Sequence, residues 1–90
     1  MKGIEAFILF AIVLWASAVL STILVVDDEA PFRAVLRDIL EPHGHRIIEA
    51  PDGAAALERL ARMHVDLVIA DQRMPNMDGL TLLRHIRQTS

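Results

Sequence analysis

The sequence contains no cysteine, which excludes a disulfide scaffold and any metal site built on thiolates. Positive charge is also scarce, since nine Lys and Arg residues face 12 Asp and Glu residues, for a net charge of -3. This balance argues against a broad basic face for nucleic acid, and no nucleic-acid partner is expected. Lysine occurs only at Lys2, and no internal repeat or low-complexity linker is present.

The apolar content is sufficient for one small domain. Hydrophobic residues make up 53% of the 90 positions, which excludes an intrinsically disordered chain. They are unevenly distributed, because no charged residue occurs between positions 6 and 26. We therefore divide the chain into a hydrophobic N-terminal segment, residues 1–21, and a domain over residues 22–90.

Three interpretations of the N-terminal segment stay open. Residues 6–22 would form a helix about 25 Å long, near the lower limit for a membrane span. Trp15 and the small residues Ala16 and Ala18 also fit the apolar stretch and cleavage site of a secretory signal peptide. The third interpretation is an extension without a membrane role. We expect the segment to form a hydrophobic helix and, in the first case, to associate with a membrane through residues 6–22.

The remainder of the sequence alternates between short apolar runs and amphipathic stretches. Apolar runs at residues 23–26 and 67–70 predict strands that are buried on both faces, and residues 46–49 are predicted to form a short strand between them. Each is followed by a helical pattern, and in the third helix Leu80, Leu83 and Ile86 are predicted to face inward. Alternation of this kind predicts an α/β fold with a parallel sheet and right-handed crossovers, which is a partial doubly wound arrangement.

Acidic residues follow two of the predicted strands. Asp27 and Asp28 come directly after the first strand, and Asp71 follows the third. Each alone would more often be a helix cap or a turn residue. If the two strands are neighbours, however, the three carboxylates converge at one end of the sheet, where ligands of such sheets collect. Repelling carboxylates of this kind favour a hard divalent cation, Mg²⁺ above all, and predict a phosphoryl site.

Three stretches of this sequence resemble the receiver domain of bacterial two-component response regulators. They are the run Ile-Leu-Val-Val-Asp-Asp-Glu at residues 23–29, the pair Asp52-Gly53 before an alanine-rich helix, and residues 66–79 with Met74, Pro75 and Gly79. The resemblance covers about residues 22–89 without a gap. It implies a flavodoxin-like sheet in which the three predicted strands take the order 2-1-3 of the family's 2-1-3-4-5.

The resemblance also implies roles for particular residues. Asp71 would accept a phosphoryl group from a sensor histidine kinase or a phosphotransfer protein. Asp28 would bind Mg²⁺ directly, Asp27 largely through water, and the backbone carbonyl of Arg73 would complete the protein ligands. The chain is thus predicted to act in phosphorelay signal transduction, as a phosphoprotein and not as an enzyme. Its expected location is the cytoplasm, anchored to the inner membrane if the apolar segment spans it.

The sequence departs from the family at its end. Family members continue into a fourth strand, which ends in Ser or Thr, and a fifth, which carries a Lys, and this sequence stops at Ser90. We therefore expect a truncated domain in which phosphotransfer is slow or absent. The third predicted strand would become an apolar sheet edge prone to self-association.

The sequence also allows two other functions. One is a membrane-tethered or structural interaction module that has lost phosphotransfer chemistry. The other is a hydrolase of the haloacid dehalogenase type, which is disfavoured because such enzymes carry Asp-x-Asp where this sequence has adjacent acids.

Overall fold

A four-stranded sheet with helices on both faces organises the chain, whose computed structural model describes residues 9–13 and 21–89. The strands are β1 (Leu9–Val13), β2 (Thr22–Val26), β3 (Arg46–Ala50) and β4 (Leu67–Asp71). The helices are α1 (Ala30–Leu40), a short 3-10 helix (Glu41–His43), α2 (Gly53–Arg62) and α3 (Gly79–Thr89).

Three of the strands are parallel and lie in the order β3-β2-β4. The first, second and third strands predicted from the sequence are β2, β3 and β4. The observed order is therefore the predicted order 2-1-3, which is confirmed. In this register Val26 pairs with Ala50 on one side and with Ala70 on the other. The carboxyl ends of β2 and β4 therefore lie side by side, which brings the acidic residues that follow them to the same place.

The N-terminal segment departs from the prediction. Leu9–Val13 form a strand that pairs antiparallel with β4, with Leu9 opposite Asp71 and Val13 opposite Leu67. A helix is wrong for these five residues because it could not satisfy the backbone N–H and C=O groups along the outer edge of β4. The third predicted strand is therefore not a sheet edge. The rest of the segment, residues 1–8 and 14–20, lies outside the described residues.

No helix within the described ranges has the length and apolar character needed to cross a membrane. The interpretation of residues 6–22 as a membrane span falls largely on residues that are not described.

Successive residues of a strand point to opposite sides of the sheet, and helices cover both sides, so the sheet is buried on both faces. On one face, Leu24 and Val26 of β2 pack with Leu82 and Ile86 of α3. On the other face, a smaller cluster contains three buried residues of β2 and β3, against which two leucines of α1 pack: Ile23, Val25, Ile47, Leu36 and Leu40. This double burial explains why β2 is an uninterrupted apolar run.

Close packing in the turn before α2 leaves no room for a side chain at Gly53. Asp52 caps the helix by accepting a hydrogen bond from the backbone N–H of Ala55 at 2.7 Å. Gly53 follows, and a Cβ atom placed on it would lie 2.5 Å from Sδ of Met77 and 3.0 Å from Cβ of Met77. Met77 belongs to the loop between β4 and α3, so close packing at Gly53 connects α2 to that loop.

Gly53→Ala is expected to lower the free energy of unfolding by about 1–2 kcal/mol, because the added methyl group overpacks this contact. Urea denaturation of the variant measures the loss. Met77→Ala supplies the matched control, since it removes Sδ and Cγ, the two nearest atoms, and in that background the loss caused by Gly53→Ala should be clearly smaller. An equal loss of stability in both backgrounds would show that the contact with Met77 is not the cause.

Candidate functional site

Three carboxylates converge where β2 and β4 end. Asp27 directly follows Val26, and Asp71 directly follows Ala70, the register partner of Val26. Ligand oxygens of Asp27, Asp28 and Asp71 all lie within 4.8 Å of one another. The clustering predicted from the sequence is thus present in the structure. Asp27 and Asp71 are buried, whereas Asp28 is exposed and marks the solvent side of the site.

Asp27 is held through both its backbone and its side chain. Its N–H donates to the carbonyl of Ala50 at 3.1 Å, which extends the ladder between β2 and β3 by one bond. Its Oδ1 accepts from the backbone N–H of Glu29 at 2.9 Å. Its carbonyl oxygen accepts from Nη1 of Arg33. With 2% of its surface exposed, this carboxylate has little freedom to move away from its acidic neighbours.

Burial and like charge make the ionised form of Asp27 unfavourable. Loss of hydration is the largest cause, and the nearby charges of Asp71 and Asp28 act in the same direction, while the bond from the Glu29 amide opposes them. Together they raise the pKa of Asp27 from 3.8 to about 6. A positive ion placed among the three carboxylates would remove this penalty, so the electrostatics of the site favour a bound cation.

Asp71 is the last residue of β4 and is 1% exposed. Its Oδ1 accepts a hydrogen bond from the backbone N–H of Arg73 at 3.1 Å, which turns the chain into the loop that follows. In that loop Asn76 adopts a left-handed conformation with φ 69°. Asp78 then caps α3 by accepting from the N–H of Thr81 at 2.8 Å. The carboxylate of Asp71 is therefore fixed between a buried strand and a hydrogen-bonded loop.

The donor set fits Mg²⁺, which prefers oxygen ligands. Two oxygens bound directly to one Mg²⁺ at about 2.1 Å can be at most about 4.2 Å apart. The carboxylate oxygens of this cluster all lie within 4.8 Å of one another, which is close to that limit. The three side chains are therefore near enough to share one ion, either directly or with one of them bound through water. The family resemblance implies that the backbone carbonyl of Arg73 is a further Mg²⁺ ligand. The structure shows that the N–H of the same residue donates a hydrogen bond to Asp71.

The raised pKa predicts how the stability of the metal-free protein depends on pH. A carboxylate with a raised pKa in the folded state stabilises the fold fully below its ordinary pKa of 3.8 and loses that contribution as the pH rises through about 6. Asp27→Asn keeps the Oδ1 acceptor for Glu29 but carries no charge. In the presence of a chelator at pH 7, we expect this variant to be more stable than wild type by about 2 kcal/mol.

Thermal and urea denaturation between pH 4 and pH 8 measures this difference. It should shrink towards pH 4, where Asp27 of the wild type is protonated as well. Asp38→Asn is the matched control, because Asp38 is exposed on α1 and the substitution changes the net charge equally. A gain in stability that is independent of pH, or equal in both variants, would contradict the assignment.

Two residues beside the site, Arg33 and Glu49, were not predicted from the sequence. Arg33 lies in the first turns of α1 and reaches back to the carbonyl of Asp27, and its Nε donates to Oε1 of Glu49 at 3.0 Å. Sequence patterns assign such charged residues to the solvated face of a helix. The one available signal is that Arg33 follows the acidic pair closely in a helix that starts beside the site.

Comparison with known proteins identifies the family. The family model described as the response regulator receiver domain matches residues 23–90. The protein therefore belongs to the response regulator receiver domain family, and the resemblance seen in the sequence is confirmed.

Its relatives include both regulators and kinases. The chain is 45% identical over 67 residues to the chemotaxis protein CheY of Bacillus subtilis (strain 168), covering 73% of this chain and 56% of CheY. It is 47% identical over 66 residues to the sensor histidine kinase RcsC of Escherichia coli (strain K12), covering 73% of this chain and 7% of RcsC. The chain thus spans a little over half the length of CheY and a small fraction of RcsC.

Solved structures share the fold. The response regulator protein TrrA from Thermotoga maritima, crystallised in complex with Mg²⁺-BeF, has a TM-score of 0.74 and 38% sequence identity, over 78% of this chain and 61% of TrrA. TrrA has also been crystallised in complex with the histidine kinase ThkA. Neither match extends over the whole of this chain, and the fold that they share is the CheY-like flavodoxin fold.

Proposed function

We propose that this protein accepts a phosphoryl group on Asp71 in phosphorelay signalling. The observation that carries the proposal is the meeting of three carboxylates, those of Asp27, Asp28 and Asp71, at the carboxyl ends of two adjacent parallel strands. The donor is a phosphohistidine of a sensor histidine kinase or of a phosphotransfer protein. The kinase complex of the relative TrrA supports this class of partner.

The chemistry assigned to Asp71 is nucleophilic attack by a carboxylate oxygen on phosphorus. A bond forms between this oxygen and phosphorus, and the phosphorus–nitrogen bond of the phosphohistidine breaks. The electron pair of that bond goes to the imidazole nitrogen of the donor. Asp71 suits this role because β4 and the amide of Arg73 fix its carboxylate in one orientation.

Asp27, Asp28 and Asp71 are assigned to hold Mg²⁺, together with the backbone carbonyl of Arg73. When bound, Mg²⁺ neutralises the carboxylates and the oxygens of the entering phosphoryl group. The Mg²⁺-BeF complex of TrrA supports the choice of this ion. The raised pKa of Asp27 gives the same indication, since this carboxylate ionises at neutral pH against burial and like charge.

Binding of Mg²⁺ is expected to stabilise the wild-type protein by simple linkage. At a concentration of ten times its dissociation constant, the ion should add about 1.4 kcal/mol to the free energy of unfolding. Thermal denaturation with and without Mg²⁺ measures this gain. In Asp28→Asn we expect most of it to disappear, whereas Asp38→Asn, on the exposed side of α1, should respond like wild type.

The same variants test the proposed function directly. Incubation with acetyl phosphate and Mg²⁺, followed by intact-mass analysis, should show slow addition of one phosphoryl group to the wild-type protein. Addition should fail when a chelator replaces Mg²⁺, and it should be strongly reduced in Asp28→Asn. A phosphoryl group acquired equally well without Mg²⁺ would contradict the proposed function.

A further inference from the structure

Arg33 connects the acidic site to the sheet behind it. Its side chain is 15% exposed and contacts two other elements. Nη1 donates to the carbonyl oxygen of Asp27, and Nε donates to Oε1 of Glu49 on β3 at 3.0 Å. The guanidinium thus bridges the point where the chain leaves β2 and a carboxylate on the neighbouring strand.

Glu49 is itself anchored. Its Oε2 accepts from Nε of Arg37 at 2.9 Å, and its backbone carbonyl accepts from Nε of Arg59 at 2.9 Å. Burial alone would raise the pKa of Glu49, but the hydrogen bonds from Arg37 and Arg33 outweigh it and lower the pKa. Glu49 therefore stays ionised at neutral pH and gives Arg33 a fixed partner.

The contact with Asp27 has a consequence for Asp28. The carbonyl of Asp27 and the N–H of Asp28 belong to one planar peptide group. Holding the carbonyl oxygen therefore sets the direction in which Asp28 leaves the backbone. Asp28 is exposed, so packing around its side chain constrains it far less than burial constrains Asp27 and Asp71.

We infer that Arg33 is a positioning residue of the cation site: its guanidinium, supported by Glu49, fixes the Asp27–Asp28 peptide so that both carboxylates converge with Asp71. This inference rests on the proposed function, in which the three carboxylates hold a divalent cation. Arg33 touches neither the cation nor the phosphoryl group in this account and acts only through the backbone.

The sign of the effect separates positioning from simple electrostatics. Arg33→Gln removes a positive charge from the neighbourhood of the site, which by charge alone would strengthen Mg²⁺ binding. Loss of positioning would weaken it, as is typical when a group that orients metal ligands is removed. The two explanations thus predict opposite changes in the same dissociation constant.

Titration calorimetry with Mg²⁺ on the full chain measures this constant. We expect Arg33→Gln to bind Mg²⁺ about tenfold more weakly than wild type. Arg33→Lys keeps the charge, but a single ammonium group replaces the planar guanidinium whose Nε and Nη1 reach two acceptors. This variant should therefore also bind Mg²⁺ more weakly than wild type. Arg62→Gln is the matched control, because Arg62 forms an exposed pair with Glu58 on α2, at 3.6 Å, and the same charge is lost.

A second measurement needs no metal. The backbone N–H of Glu29 donates to Oδ1 of Asp27, so its hydrogen exchange reports on the order of this turn. In the metal-free protein, Arg33→Gln should accelerate exchange at Glu29. The equivalent cap amide of Ala55, which donates to Asp52 on α2, should exchange at its wild-type rate.

The outcomes are distinct. Unchanged or tighter Mg²⁺ binding in Arg33→Gln and Arg33→Lys, or unchanged exchange at Glu29, would overturn the inference and leave the proposed function intact. A wild-type protein that binds Mg²⁺ no better than Asp28→Asn would contradict the proposed function instead. In that case the exchange at Glu29 still decides whether Arg33 holds the peptide.

Discussion

Replacing Asp71 with asparagine is expected to abolish phosphoryl acceptance. The amide is not a nucleophile towards phosphorus, whereas the carboxylate that it replaces is one of the three that form the acidic cluster. Asparagine retains an Oδ1 acceptor for the N–H of Arg73, so the loop after β4 should keep its conformation. Intact-mass analysis after incubation with acetyl phosphate and Mg²⁺ should then show no phosphorylated protein.

Asp78→Asn is the control for this substitution. Asp78 lies in the same loop but serves to cap α3 through the N–H of Thr81. Asparagine caps a helix as well as aspartate does, so folding and phosphorylation should both persist in this variant. Phosphorylation that survives in Asp71→Asn would show that Asp71 is not the acceptor, whereas equal loss in both variants would show that the conformation of the loop, and not the Asp71 carboxylate alone, is required.

Interrupting β1 is expected to cause self-association. β1 pairs with the outer edge of β4, where apolar residues of high strand propensity would otherwise leave backbone groups unpaired. In an antiparallel pair, neighbouring residues direct their N–H groups alternately towards the partner and away from it. Of Phe10 and Ala11, therefore, one donates to β4 and the other does not.

Proline substitution at each position tests this arrangement. Proline has no N–H, so one of Phe10→Pro and Ala11→Pro should remove a hydrogen bond of the ladder and expose the edge of β4. Sedimentation velocity should show oligomers for that variant, while the other variant should resemble wild type. If both variants sediment as the wild type does, the protection assigned to β1 is wrong.

The parallel core of the fold could be predicted from the sequence because its signals are strong and local. β2 is a continuous apolar run followed at once by Asp27, and β4 repeats that pattern before Asp71. Burial on both faces leaves few alternatives for such runs. The same logic placed the three carboxylates together, since parallel neighbours end at the same edge of a sheet.

Features that depend on tertiary contacts could not be predicted in this way. Residues 9–13 are apolar in every position, so periodicity does not distinguish a strand from a helix, and only the edge of β4 decides. In α3 the core contacts come from Leu82 and Ile86, while Leu80 is 41% exposed. Of the three predicted inward positions, Ile86 is confirmed, Leu83 is half-buried and Leu80 is wrong, while Leu82, which was not predicted, is fully buried.

The position of the phosphoryl group tests the central proposal most directly. After incubation of the wild-type chain with acetyl phosphate and Mg²⁺, borohydride reduces an acyl phosphate and converts the acceptor aspartate into homoserine. Peptide sequencing by mass spectrometry then locates the modified residue. The proposal predicts homoserine at position 71, between Ala70 and Gln72. Homoserine at position 27 or 28, or an unmodified chain after prolonged incubation, would contradict it.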